Sequence, residues 1–135
     1  MDKFQDIRDK EGNIIGQVRL SHWEVTYGDG RGNRWTEKHD DLTQADFSGM
    51  NLQNADLRGL DLFAADFRHA DLRGADFRGA RATMANFYDA NLEGADFRGA
   101  DVSDTLKRDD LEGIAIYDEE TRFYETPVYH RPSWM

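Results

Sequence analysis

The chain of 135 residues contains no cysteine, only two prolines and four histidines. The lack of cysteine excludes a disulfide framework, a thiolate metal site and a thiol nucleophile, and it suits a reducing compartment, so a cytoplasmic location is expected. Long apolar runs are also missing: nothing approaches the roughly 18–20 residues that cross a bilayer, so no membrane partner is expected. The opening MDKFQDIRDKEGN is charged where an export signal would be apolar. Basic residues are in deficit, 17 Lys and Arg against 27 Asp and Glu, for a formal charge of -10. Such a field repels nucleic acid and attracts basic protein surfaces, so direct nucleic-acid binding is not expected and a protein partner is.

Catalytic patterns are lacking as well. No GxxxxGK[ST], HExxH or GxSxG stretch occurs. The glycine-rich Gly28-Asp-Gly-Arg-Gly-Asn33 has Asn where a dinucleotide loop needs its third Gly, and reads instead as a hairpin turn. His39-Asp40-Asp41 could ligate a cation only if adjacent side chains of an extended chain pointed the same way, which they do not. No catalytic residue, cofactor or metal site is therefore assigned, and an enzyme is not expected.

What is present is a repeat. Residues 40–104 divide into thirteen cells of five, such as Ala65-Asp-Phe-Arg-His69 and Ala70-Asp-Leu-Arg-Gly74. The central residue of every cell is apolar, Ala stands two before it in ten cells, and Asp or Asn stands one before it in twelve. A spacing of five scatters positions around a helix and alternates faces along a strand, so the backbone must turn once per cell. Asx residues and Gly are suited to such turns. A second period of twenty lies on top: Phe47, Phe67 and Phe87 recur, as do Leu52, Leu72 and Leu92, while Leu57 is followed by Phe77 and Phe97. Four cells make one coil, and these nine residues are the expected stacked core of a square solenoid.

The A(D/N)(L/F)xx cell resembles the pentapeptide repeat family, which includes gyrase-binding quinolone-resistance proteins. The resemblance implies an all-β fold, a short right-handed quadrilateral β-helix of about three to four coils. Gly113–Phe123 also looks like the stretch with which many members of that family finish. The spacing from Val102 to Leu106 is four, and Leu111 and Ile116 resume the five, so an irregular last coil is expected. Three segments follow: 1–39, a hairpin or β-meander cap in which Val18, Leu20, Trp23, Val25 and Tyr27 alternate as half-buried strands do; 40–116, the solenoid; and 117–135, an aromatic-rich cap or tail with Tyr117, Phe123, Tyr124, Tyr129, Trp134, Pro127 and Pro132. In gyrase-binding relatives the carboxy-terminal end is the dimer contact, so a homodimer through that end is one expectation.

The repeat also maps the surface, because only the central residue and the Ala two before it should face inward. The side with cells 40–44, 60–64, 80–84 and 100–104 holds Asp40, Asp41, Asp61, Asp101 and Asp104 against Arg81, net -4; the next, with Asp46, Asp66, Asp89 and Arg68, is -2; the third, with Asp71, Glu93 and Arg73, is -1. On the fourth, Asp56, Asp76 and Asp96 are matched by Arg58, Arg78 and Arg98. The candidate protein-binding residues are thus Asp41, Asp61, Asp66, Asp101 and Asp104, with Phe63 and Tyr88 as apolar anchors. Two readings stay open for the departures from pattern: Met84 either faces out or folds in beside the small Ala82, and Phe63 either faces out or packs on a terminal segment. The expected function is a non-enzymatic acidic protein-interaction module. Its favoured mechanism is mimicry of DNA toward a DNA-handling protein, as the resemblance to gyrase binders implies. The alternative is an assembly module in which the solenoid is a rigid spacer and the termini make the contact.

Overall fold

The computed structural model describes residues 2–124. From Asp41 onward the backbone turns every five residues, and the hydrogen bonds show why. The Asp or Asn before each central residue accepts the N–H two residues on, as Asp46 Oδ1 does from Ser48 at 2.9 Å and Asp96 Oδ1 from Arg98 at 3.1 Å. The central carbonyl then receives the N–H three residues on, closing a β-turn, for example Ala75 to Leu72 at 3.0 Å. The last residue of each cell from 44 to 99 has positive φ: six are Gly, and Gln44, Asn54, Ala64, His69, Met84 and Asp89 take values of 56° to 61°. Every corner therefore demands the left-handed region, and half of them bear it without glycine.

Turns of this kind stack twenty residues apart. Parallel bridges join Asp46 to Asp66 and Asn86, Asn51 to Asp71 and Asn91, Asp56 to Asp76 and Asp96, and Asp61 to Arg81 and Asp101. These four ladders are the four sides of the solenoid. Phe47, Leu52, Leu57, Phe67, Leu72, Phe77 and Phe97 are fully buried, and Phe87 and Leu92 nearly so. Rings stack along the axis, Phe47 on Phe67 with centroids 4.6 Å apart and Phe77 on Phe97 at 4.7 Å, while Phe67 meets Phe77 edge-on at 5.7 Å. Small Ala residues at the inward position two before the centre, such as Ala65 and Ala75, let the coils approach this closely.

Two antiparallel hairpins precede the solenoid. Strands β1 (Phe4–Arg8) and β2 (Ile14–Arg19) form the first, with Ile7 and Val18 buried in the core. It covers the first coil: Lys10 N–H reaches Asn54 O at 2.9 Å, and Asp56 N–H reaches Arg8 O at 2.7 Å. Strands β3 (Ser21–Gly28) and β4 (Arg34–Asp41) form the second, with Ser21 opposite Asp41 and Gly28 opposite Arg34. The Gly28–Asn33 segment is the turn between them, held by Asp29 Oδ1, which accepts from Arg31 N–H at 2.7 Å. The hairpins make separate two-stranded sheets, so no continuous meander exists. Nor are Trp23 and Tyr27 half-buried cap residues; they are 39% and 41% exposed, because the second hairpin has Glu37 and Asp41 on the same face as its aromatics and stands away from the core.

At the far end one turn of helix, α1 (Arg108–Leu111), replaces part of the last coil and buries Leu111. The chain then re-enters the ladders one residue out of step. Ile116 bridges to Asp96, the outward position, and is 48% exposed, so Tyr117 rather than Ile116 takes the central place beside Phe97. The short strands β5 (Asp101–Val102) and β6 (Arg122–Phe123) pair in parallel and bury Phe123 over Val102, so the boundary placed at 116 falls inside the last coil. Tyr129, Trp134, Pro127 and Pro132 lie outside the described residues, and with them most of the segment expected to carry the dimer contact.

Candidate protein-interaction surface

The carboxylates of the solenoid have two tasks, and the tertiary structure separates them. All that begin a turn are bound to backbone N–H groups, so they are structural wherever they stand. Where Arg follows two residues later, it returns to grip the same carboxylate. Arg78 bonds Asp76 through Nε at 2.9 Å and Nη2 at 2.7 Å, Arg98 bonds Asp96 at 2.9 and 2.6 Å, and Arg58, Arg68 and Arg73 bond Asp56, Asp66 and Asp71 in the same way. The fourth side is interlocked further, since Arg58 Nε lies 3.9 Å from Asp76 and Arg78 Nε 3.9 Å from Asp96 in the next coil. Those arginines balance charge between stacked turns.

These contacts shift ionisation. The paired Arg holds Asp56, Asp66, Asp71 and Asp96 below the usual carboxylate range; at Asp76 burial pushes the other way, but the bonds from Arg78 outweigh it. A carboxyl with a depressed folded-state pKa stabilises the fold above its unfolded value of about 3.9, and that contribution is lost as pH falls through the depressed value. Urea unfolding midpoints should therefore vary little on this account between neutrality and pH 5 and drop below about pH 4. A decline already complete at pH 5 would contradict the assignment.

The candidate residues fall unevenly. Asp66 is neutralised by Arg68, and Asp61 by Arg81 from the coil above at 3.1 Å. Asp41 accepts the Trp23 indole N–H at 3.0 Å and the Thr43 N–H at 3.0 Å. Among the described residues, Asp41, Asp101 and Asp104 have no Lys or Arg partner. Phe63 is half-buried beneath the Arg81 guanidinium, 4.9 Å from the ring centroid. Met84 does not fold in beside Ala82 but is 58% exposed, since its positive φ directs the corner outward, and Tyr88 on the adjoining side is 71% exposed against His69. Asp41, Asp61 and Phe63 come together with Trp23 and Arg81 around an open groove of about 560 Å³ at the root of the second hairpin. Asp66, Asp101, Asp104 and Tyr88 lie outside it.

Sequence reading missed the second hairpin as surface. One face carries Trp23, Val25, Tyr27, Trp35 and His39, with Trp23 stacked on His39 at 3.9 Å and Tyr27 on Trp35 at 5.7 Å. Glu37 in the middle of that face was the available signal. Asp40, on the opposite face, bonds Lys3 at 2.7 Å and His22 at 2.9 Å, apart from His39 and Asp41. Among the described residues no group of three or more His, Asp or Glu side chains could hold a metal ion.

The fold and its surface define an all-β solenoid of stacked four-sided coils capped by a hairpin. The sequence model of the family Pentapeptide repeats matches residues 41–79 and 71–105, eight copies in all, and the chain belongs to that family through its solenoid. Among solved structures it is similar to a pentapeptide repeat protein from the thylakoid lumen of Arabidopsis thaliana, with 31% identity and a TM-score of 0.48 over 62% of this chain. The match spans 57% of that protein. No curated protein matches the chain. Proteins of this family are generally non-enzymatic modules for protein interaction or structure.

Proposed function

We propose that the protein acts by contact with a basic protein surface, through the solenoid side that carries Asp41, Asp61, Asp101 and Asp104 and the corner beside it. The observation that supports this is where uncompensated charge gathers: three carboxylates of this side, Asp41, Asp101 and Asp104, have no Lys or Arg partner among the described residues, whereas Asp56, Asp66, Asp71, Asp76 and Asp96 are each gripped by the Arg two residues on, and Met84 and Tyr88 stand exposed alongside. Unpaired carboxylates around exposed apolar anchors suit a partner rich in Lys and Arg. DNA-handling proteins are the class of partner we favour, since a rod of about 16 Å at 4.8 Å per coil would match duplex bearing about nine charges, against a repeat net of -7.

A test must respect the turns. Lysine at positions 41, 61, 66 and 101 would remove four turn-closing acceptors, so loss of binding would not separate charge from folding. Asparagine keeps Oδ1 and removes the charge. The Asp101→Asn/Asp104→Asn variant, which breaks no contact to Lys or Arg, combined with Met84→Gly, is expected to unfold at the same urea concentration as wild type or higher, because Gly relieves the corner at residue 84. It should lose the salt-sensitive partner that wild type captures from lysate. Release of that partner by duplex DNA supports mimicry; equal capture by both proteins would sink the acidic-side reading.

A second reading has its own support. The aromatic hairpin is exposed along its length, with Trp35 at 50%, so the amino-terminal region rather than the solenoid side would make the specific contact.

A further inference from the structure

The second hairpin is an unusual object: two eight-residue strands, exposed over most of their length, carrying two tryptophans and a tyrosine on one face. A two-stranded sheet of this kind is marginal alone and gains stability from a third strand or a covering layer. Among the described residues, β3 pairs only with β4, which leaves its other edge without a strand.

The two edges differ in chemistry. β4 reads Arg-Trp-Thr-Glu-Lys-His-Asp-Asp, charged in the way that blocks edge pairing, whereas β3 reads Ser-His-Trp-Glu-Val-Thr-Tyr-Gly, with no Lys, Arg or Pro and one Glu. We propose that two copies of the chain pair antiparallel along β3, centred on Val25, to form a four-stranded sheet at the heart of a twofold dimer.

The register is what selects a second copy as the occupant. A twofold contact must be self-complementary, and the two faces are preserved only when paired residue numbers sum to an even value. With a sum of 50, Val25 meets Val25, Trp23 meets Tyr27, Glu24 meets Thr26 and His22 meets Gly28, so no like charges oppose. Glu24 is already satisfied within its own hairpin by Lys38 at 3.5 Å and His22 at 3.3 Å. Centres at 23 or 26 pair only five residues of β3, against seven at 25, and the other centres that pair seven residues oppose like charges: at residue 24, Glu24 meets itself, and on β4 a centre at 37 sets Glu on Glu and one at 38 Lys on Lys. Like charges directly opposite are destabilising. The chosen register also joins the aromatic pairs of both hairpins into one continuous face, Trp23–His39 and Tyr27–Trp35 of each copy meeting through Trp23 on Tyr27. Each dimer then carries two solenoids on one sheet, a bivalent arrangement that does not depend on what the acidic side binds.

Wild type is expected to have a solution mass of about 31 kDa, twice 15.6 kDa. Because the chain lacks cysteine, Val25→Cys introduces one thiol, and opposed Cα atoms at about 4.5–5.5 Å suit a disulfide. Mild oxidation should give covalent dimer with Val25→Cys and little with Thr36→Cys on β4. Val25→Lys and Val25→Glu should each be monomeric, and an equal mixture should restore the dimer, a rescue that a misfolded hairpin would not show. A wild-type mass of 15.6 kDa with no preferential Val25→Cys crosslink would overturn the proposal. So would dimerisation that appears only after removal of residues 125–135, which would make that segment the occupant of the β3 edge.

Discussion

Phe67→Ala is expected to lower the unfolding free energy by about 3–5 kcal/mol, the range for deleting a buried aromatic side chain. Phe67 is fully buried and lies between two parallel rings, Phe47 at 4.6 Å and Phe87 at 5.1 Å, with Phe77 meeting it edge-on at 5.7 Å. Removing it opens a gap in the middle of the ladder, and in a solenoid each coil has only its neighbours to hold it. A domain of this size has about 5–15 kcal/mol in total, so the variant should unfold at a markedly lower urea concentration. Phe47→Ala should cost less, since the Phe47 ring has one stacked neighbour and lies in the first coil. Equal midpoints for the two variants would show that the ladder is not the unit of stability.

The second large effect is at Asp76. This carboxylate is only 4% exposed, closes the turn through the Arg78 N–H at 3.1 Å, and holds the Arg78 guanidinium at 2.7–3.0 Å. Alanine would orphan those donors, a loss of about 1–3 kcal/mol. Asparagine keeps the turn acceptor and gives up the charge, so Asp76→Asn should fall between wild type and Asp76→Ala. The difference between the two variants, read from urea midpoints, separates the turn from the ion pair. If Asn were as damaging as Ala, the charge rather than the turn would be the larger part.

Much of this arrangement was legible beforehand. The five- and twenty-residue periods placed Phe47, Phe67 and Phe87 in one stack and Leu52, Leu72 and Leu92 in another, because a strictly repeated turn leaves few ways to bury thirteen apolar residues. The hairpin turn at Gly28–Asn33 was equally plain. The last coil was less so: α1 takes up the residues between Leu106 and Leu111 and shifts the register, so Ile116 points out and Tyr117 in. Apolar spacing alone cannot show a one-residue slip of this kind.

Surface charge was the harder matter. The totals by side, -4 and -2, already count Arg81 and Arg68 but not which carboxylates they meet, and the structure assigns Arg81 to Asp61 and Arg68 to Asp66. Neighbours two residues apart are visible in a sequence, but whether an arginine folds back on its own turn, reaches the next coil or covers a ring is decided by packing. Arg81 does the last two at once, bonding Asp61 and covering Phe63.

The sequence by itself determined the solenoid, its four sides and its inward-facing residues, because those follow from local turn chemistry repeated at a fixed interval. Only the tertiary structure decided which carboxylates keep an unpaired charge, that Met84 faces out, and that the aromatic hairpin stands exposed with one strand edge bare of neighbours among the described residues. Each of those depends on groups brought together from distant parts of the chain, where burial and pairing are settled by what lies alongside rather than by what comes next.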